Sequence, residues 1–249
     1  MRIIYFYTII STVIVSLLSF IGILTLAFKE EKTQEITMFL VSLSAGALLG
    51  GSFLHLMPEA VNKGGTDLSV WLWLLGGIII FFILEKIVFW HHCHNPASHK
   101  HIHPLGKMSL IGGSLHNFID GLIIAGAFLA NIPLGVATVI AVIAHEIPQE
   151  FSDFGILIYS GYSKTKALLF NFLSAIVAIA GAIAGLAIGV QIESFTAYII
   201  PFAAGSFIYI AVADIIPELH KETNFKKSIK QLFGILLGIG IMWSIKIFL

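Results

Sequence analysis

Apolar residues run through this chain in long blocks, interrupted by short polar or turn-forming stretches. Cutting at those interruptions leaves eight apolar segments, roughly 3–28, 37–61, 69–92, 108–131, 133–160, 165–190, 196–219 and 229–248. Each is close to or above the roughly 20 residues that an α-helix needs to cross a bilayer. Inside a bilayer every backbone amide must be satisfied within its own segment, which helices achieve. The pattern therefore predicts an all-α membrane protein with eight transmembrane helices. The first segment, MRIIYFYTII onwards, is longer than a signal-peptide core and lacks a small-residue cleavage site, so it reads as a true first span. The connections are short, apart from 93–107, CHNPASHKHIHPLGK. Residues 1–249 read as a single transmembrane domain.

Composition agrees with the pattern. Of the 249 residues, 57% are hydrophobic and 11% charged, and mean hydropathy is +0.95. A soluble domain carries about 25% charged residues. The formal net charge is zero, which argues against a nucleic-acid partner, and Cys93 is the only cysteine, so no disulfide forms within the chain.

The charges are unevenly placed. With both termini outside the cell, Lys29, Lys32, Lys86, Lys100, Lys107, Lys164, Lys166, Lys221, Lys226, Lys227 and Lys230 flank the cytoplasmic ends of the spans. Arg2, Lys63 and Lys246 remain outside. Lysine and arginine favour cytoplasmic loops. The expected arrangement is a cell-membrane protein with extracytoplasmic termini and a His-rich cytoplasmic loop at 93–107.

Two weak internal echoes appear. LHLMPEA (54–60) in the second span resembles ADIIPEL (213–219) in the seventh. HNFID (116–120) in the fourth resembles HEIPQ (145–149) in the fifth. They predict an inverted repeat in which three spans flank a central pair on each side, a plan found in secondary transporters.

The central pair carries the chemistry. His116 and Asp120 stand at i and i+4 and share one helix face, with Asn117 beside them. His145 and Gln149 share a face in the fifth span, while Glu146 and Glu150 share the adjacent one, and Asp153 returns to nearly the same side. An ionised residue at mid-helix costs about 2.5–3.5 kcal/mol on insertion. Asp120, Glu146, Glu150 and Asp153 would together approach about 10 kcal/mol if left unpartnered. Neither helix has a basic residue in its interior to pair with them. A divalent cation supplies the missing charge, and imidazole with carboxylate suits zinc, iron or manganese. The competing reading is mutual hydrogen bonding as interhelical glue, which suits a lone polar residue better than a cluster on two helices. Pro148 predicts a kink beside the site and a freed Ala144 carbonyl. Gly121, Ala125 and Gly126 predict close helix packing.

On these motifs the chain resembles the ZIP (Zrt/Irt-like) divalent-metal transporters. The resemblance covers eight spans, outward termini, a His-rich loop after span three, and the HNxxDG and HExPxE signatures. It extends to AAGSFIYIAVADIIPE in span seven. HEIPQEFSDF looks closest to the branch whose fifth span reads HEIPHE. The resemblance implies that His116, Asp120 and His145 bind one metal, that Gln149 helps hold or bridge metals, and that Asn117, Glu146 and Glu150 contribute to a second position. Gln149 departs from the HEIPHE pattern, and a neutral amide oxygen is a weaker ligand than imidazole.

His55, Glu59, Asp214 and Glu218 are expected either to line the route or to reach the interface as helix-end groups. His91, His92, Cys93, His94, His99, His101 and His103 are expected to modulate metal capture on the cytoplasmic side. The expected function is transport of Zn²⁺, or of Fe²⁺, Mn²⁺ or Cd²⁺, towards the cytoplasm, with the ion as cargo and no catalytic cofactor. No GxxxxGK loop occurs to couple transport to ATP. The alternative is an intramembrane zinc metalloprotease, since HEIPQ approaches HExxH, but Gln149 replaces the second histidine. The run GAIAGLAIG suits packing within one chain or in a homodimer.

Overall fold

A computed structural model describes residues 2–26, 30–65, 67–89, 104–191 and 194–248. Among the described residues eight helices are long and apolar enough to cross a membrane. They are α1 (Arg2–Gly22), α2 (Ile36–Lys63), α3 (Leu68–Lys86), α4 (Ser109–Ala130), α5 (Ile132–Tyr159), α6 (Lys164–Gln191), α7 (Phe195–Leu219) and α8 (Phe225–Phe248). No strand occurs among the described residues. The protein is a multi-pass membrane protein, as the hydropathy pattern predicts. The histidines and the cysteine of 91–103 lie outside the described residues.

The two central helices, α4 and α5, pack on each other. On one side α6 covers α4, and α1 covers α5. On the other, α2 pairs with α8 and α3 pairs with α7. More than half of the apolar window of α5 is buried, against 17% for α3 and for α8. Those two helices turn Trp71, Leu72, Ile79, Phe82, Leu232 and Leu236 outward. A polytopic protein needs no polar outer face, because lipid is the solvent there.

Glycine sets the tightest crossings. A Cβ on Gly121 would lie 1.9 Å from the Ala178 carbonyl oxygen, and one on Gly181 would lie 2.0 Å from that of Phe118. The α4–α6 crossing is thus backbone against backbone, from both sides. Reciprocal pairs do the same where α2 meets α8 (Gly46 and Gly238) and where α3 meets α7 (Gly77 and Gly205). The expected close packing at Gly121 is present, and Gly126 accommodates Ile199 of α7.

Prolines lie inside or just after helical segments at several places. Helix α5 continues from Ile132 to Tyr159 with Pro148 inside it. Wider π-helical turns appear in α2 over Gly51–Leu56 and in α7 over Ile210–Ile215. Pro58 and Pro217 follow these segments. Each lacks an N–H, and its ring crowds the carbonyl four residues back, so the chain relaxes by widening a turn. The last residues of α1 belong to a 3-10 stretch, Leu18–Leu26, that runs on past it and packs against α5. The tightening brings Gly22 to the α5 backbone, where a Cβ would lie 2.7 Å from that of Phe154.

Candidate metal centre

Four side chains from α4 and α5 converge. His116, Asp120, His145 and Glu146 each offer a ligand atom, all within 4.8 Å of one another. The two Nε2 atoms are 3.2 Å apart. His145 Nε2 lies 3.1 Å from Asp120 Oδ2, and His116 Nε2 lies 3.6 Å from the same atom. Glu146 Oε1 is 3.6 Å from both nitrogens. Donor atoms held at about 2.0–2.2 Å around one tetrahedral zinc stand about 3.3–3.6 Å from each other. The observed spacings fall on or near that range.

The local sequence accounts for the convergence. His116 and Asp120 are one turn apart on α4, while His145 and Glu146 are neighbours on α5. Asp120 is fully buried, His145 and Glu146 nearly so, and His116 is 16% exposed. Rings from two further helices close the sides. Phe81 of α3 meets His116 edge-on at 5.3 Å, and Phe207 of α7 meets His145 at 5.8 Å.

Proton bookkeeping favours a cation. His145 Nδ1 sits 3.1 Å from the Ala141 carbonyl oxygen, which only accepts, so the ring proton belongs on Nδ1. In the neutral ring Nε2 then presents a lone pair to Asp120 Oδ2, another acceptor. Asp120 Oδ1 and Glu146 Oε1 are buried without hydrogen-bond partners. Buried polar atoms are ordinarily satisfied. The converging nitrogens and carboxylate oxygens are a candidate ligand set for a metal ion.

Three of the expected metal residues stand outside this group. Asn117 is buried, and its Nδ2 donates to the Gly113 carbonyl of its own helix at 2.9 Å, while its Oδ1 has no partner. Gln149 is half-buried. Glu150 is buried and accepts a hydrogen bond from Asn171 Nδ2 of α6. Asp153, one turn beyond Glu150, accepts from Ser109 Oγ at 2.9 Å. The four converging groups mix members of the two positions that the family resemblance separates, because Glu146 joins the histidines.

The remaining polar groups divide. His55 is buried and donates from Nε2 to the Met242 carbonyl of α8 at 2.8 Å, which makes it a helix-to-helix tie. Glu59 accepts from Asn131 at 3.1 Å and pairs with Lys63 at 3.7 Å. Glu218 is exposed and pairs with Lys221. Asp214 is exposed, and one turn before it Tyr209 donates to Glu85 of α3. Sequence reasoning missed Phe81, Phe207 and Asn171. The two phenylalanines carry no signal among other apolar residues. Asn171 does, being a lone amide within ALLFNFLSA.

The comparisons bear on the whole chain. The family model described as ZIP Zinc transporter matches residues 3–109 and 103–246. A Caenorhabditis elegans protein, zinc transporter zipt-7.2, is 31% identical over 88% of this chain and 60% of its own length. The Drosophila melanogaster zinc transporter ZIP13 homolog is 31% identical over 86% of this chain and 79% of its own. The zebrafish (Danio rerio) zinc transporter ZIP10 is 41% identical over 57% of this chain, which is 18% of that relative. The chain thus spans about three fifths of the worm relative and a larger share of the fly one. Eight spans, converging histidines and carboxylates, and a family match from end to end lead to one assignment: the chain belongs to the ZIP zinc transporter family.

Proposed function

We propose that this protein moves a divalent transition metal across the membrane towards the cytoplasm, binding it among His116, Asp120, His145 and Glu146 at mid-membrane depth. Zinc is the leading substrate, with Fe²⁺, Mn²⁺ and Cd²⁺ within reach of the same ligands. The observation that carries this reading is the convergence of lone pairs and orphaned carboxylate oxygens in a buried pocket. Asn117, Gln149 and Glu150 would serve the ion before or after that position. The intramembrane protease reading is disfavoured, because the relatives are named as transporters and Gln149 stands where HExxH requires histidine.

Orientation rests on the lysine distribution, which supports extracytoplasmic termini. The packing pattern supports an inverted repeat. Exchanging the first three helices for the last three, and α4 for α5, converts α2–α8 into α7–α3 and α4–α6 into α5–α1. The two π-helical segments also stand at corresponding places in α2 and α7.

The test is uptake into proteoliposomes loaded with a fluorescent zinc chelator, comparing wild type with His145→Ala and Asp120→Ala. Saturable uptake that disappears in both variants is expected. Uptake absent from the wild type, or equal in all three proteins, would sink the proposal.

A further inference from the structure

Asn171 stands 3% exposed in an otherwise apolar stretch of α6. A buried amide is costly unless its polar atoms are hydrogen-bonded. Its Nδ2 meets two acceptors, Glu150 of α5 and the Ser19 carbonyl of α1 at 3.4 Å. A carbonyl cannot donate, so the amide nitrogen, and not its oxygen, belongs on this side. Both amide protons are thereby directed, one of them at the Glu150 carboxylate.

The surroundings hold Asn171 still. Ser19 belongs to the 3-10 stretch packed against α5, and a Cβ on nearby Gly22 would come within 3.1 Å of the Glu150 carbonyl. One turn further along α6, Ser174 Oγ lies 3.1 Å from Ser114 Oγ of α4. Ser16 Oγ donates to the Ala175 carbonyl at 2.8 Å. The inner half of α6 is therefore tied to α1, α4 and α5, and Glu150 is bound to a fixed point.

Glu150 follows Glu146 by four residues, so the two carboxylates lie on one helix face about 5–6 Å apart at Cβ. A released Glu150 side chain would lie within reach of Glu146. We propose that Asn171 is a positioning residue that holds Glu150 out of the four-donor group, so that the resting site takes one ion and Glu150 stands by as the next acceptor along α5. This rests on the reading that the four donors bind the transported metal.

The test counts ions. Purified protein in detergent is equilibrated with Zn²⁺, desalted, and assayed for metal per chain, with uptake measured in parallel. Asn171→Leu keeps the approximate shape and removes the donor. It should bind one more ion per chain than wild type, and adding Glu150→Gln should abolish that gain. Its maximal uptake rate should fall about tenfold with KM little changed, the scale expected when a ligand's hydrogen-bond partner is removed. Asn171→Ala provides the same comparison where Leu does not fit. Wild-type stoichiometry in both variants, or a gain that survives Glu150→Gln, overturns the role of Asn171. If His145→Ala binds as much metal as wild type, the four-donor reading fails and this inference fails with it.

Discussion

At His145 the two ring nitrogens have different jobs. Nδ1 is tethered to the Ala141 carbonyl, which orients the ring and leaves Nε2 as an acceptor facing Asp120 and Glu146. Such a tether sets both tautomer and direction before an ion arrives. Asp120 has one oxygen against that nitrogen and another without a partner. On the proposed reading the two residues act on one ion, so their losses should not add. His145→Ala and Asp120→Asn should each lower zinc uptake by at least about tenfold, and the double variant should be little worse than either. Additive losses in the uptake assay would indicate two separate sites. These residues were legible in the sequence because both motifs place their ligands within one helical turn. Phe81 and Phe207 were not, and Asn171 stood out only as a lone amide, because the relation of all three to the site depends on which helices touch.

At the level of elements, the helix crossings depend on absent side chains. Gly121 and Gly181 face each other's neighbouring carbonyls at distances no Cβ tolerates. Gly121→Val should push α4 from α6 and destabilise the protein by at least about 1–3 kcal/mol, the usual scale of overpacking. Thermal unfolding in detergent reads this directly, and an unchanged midpoint would mean that the two helices separate freely. The α4–α5 turn gives a second case. Asn131 caps α5 by accepting from Leu134 N at 2.8 Å while donating to Glu59 of α2. Asn131→Ala loses a cap worth about 1 kcal/mol, and the tie to α2 goes with it. Glu59→Gln keeps an acceptor oxygen for Asn131, so its unfolding midpoint should stay nearer wild type. Helix existence was evident from hydropathy, but the π-helical turns were not. The wider turns arise before Pro58 and Pro217.

For the molecule as a whole, orientation is open to a clean experiment because Cys93 is the only cysteine. With extracytoplasmic termini, the 93–107 segment faces the cytoplasm. A membrane-impermeant maleimide should therefore label inside-out vesicles and leave intact cells unlabelled, and the opposite pattern would invert the topology. The weakly buried α3 and α8 form the outer flanks of the bundle, while α4 and α5 stay enclosed at its centre. A charged site can persist in such a protein only where other helices shield it from lipid.

The sequence alone determined the class, the eight spans, the family and the ligand-bearing motifs. Each of these is written locally, in the length of an apolar run or in the spacing of residues one turn apart. Tertiary structure decided which carboxylate completes the cluster. Glu146 joins the histidines, while Glu150, on the same face one turn on, is held by an amide from α6. Periodicity places both on the same side of α5 and cannot rank them. Their difference comes from the helices packed around α5, where a single buried donor 21 residues further along the chain meets one carboxylate and leaves the other beside the two histidines.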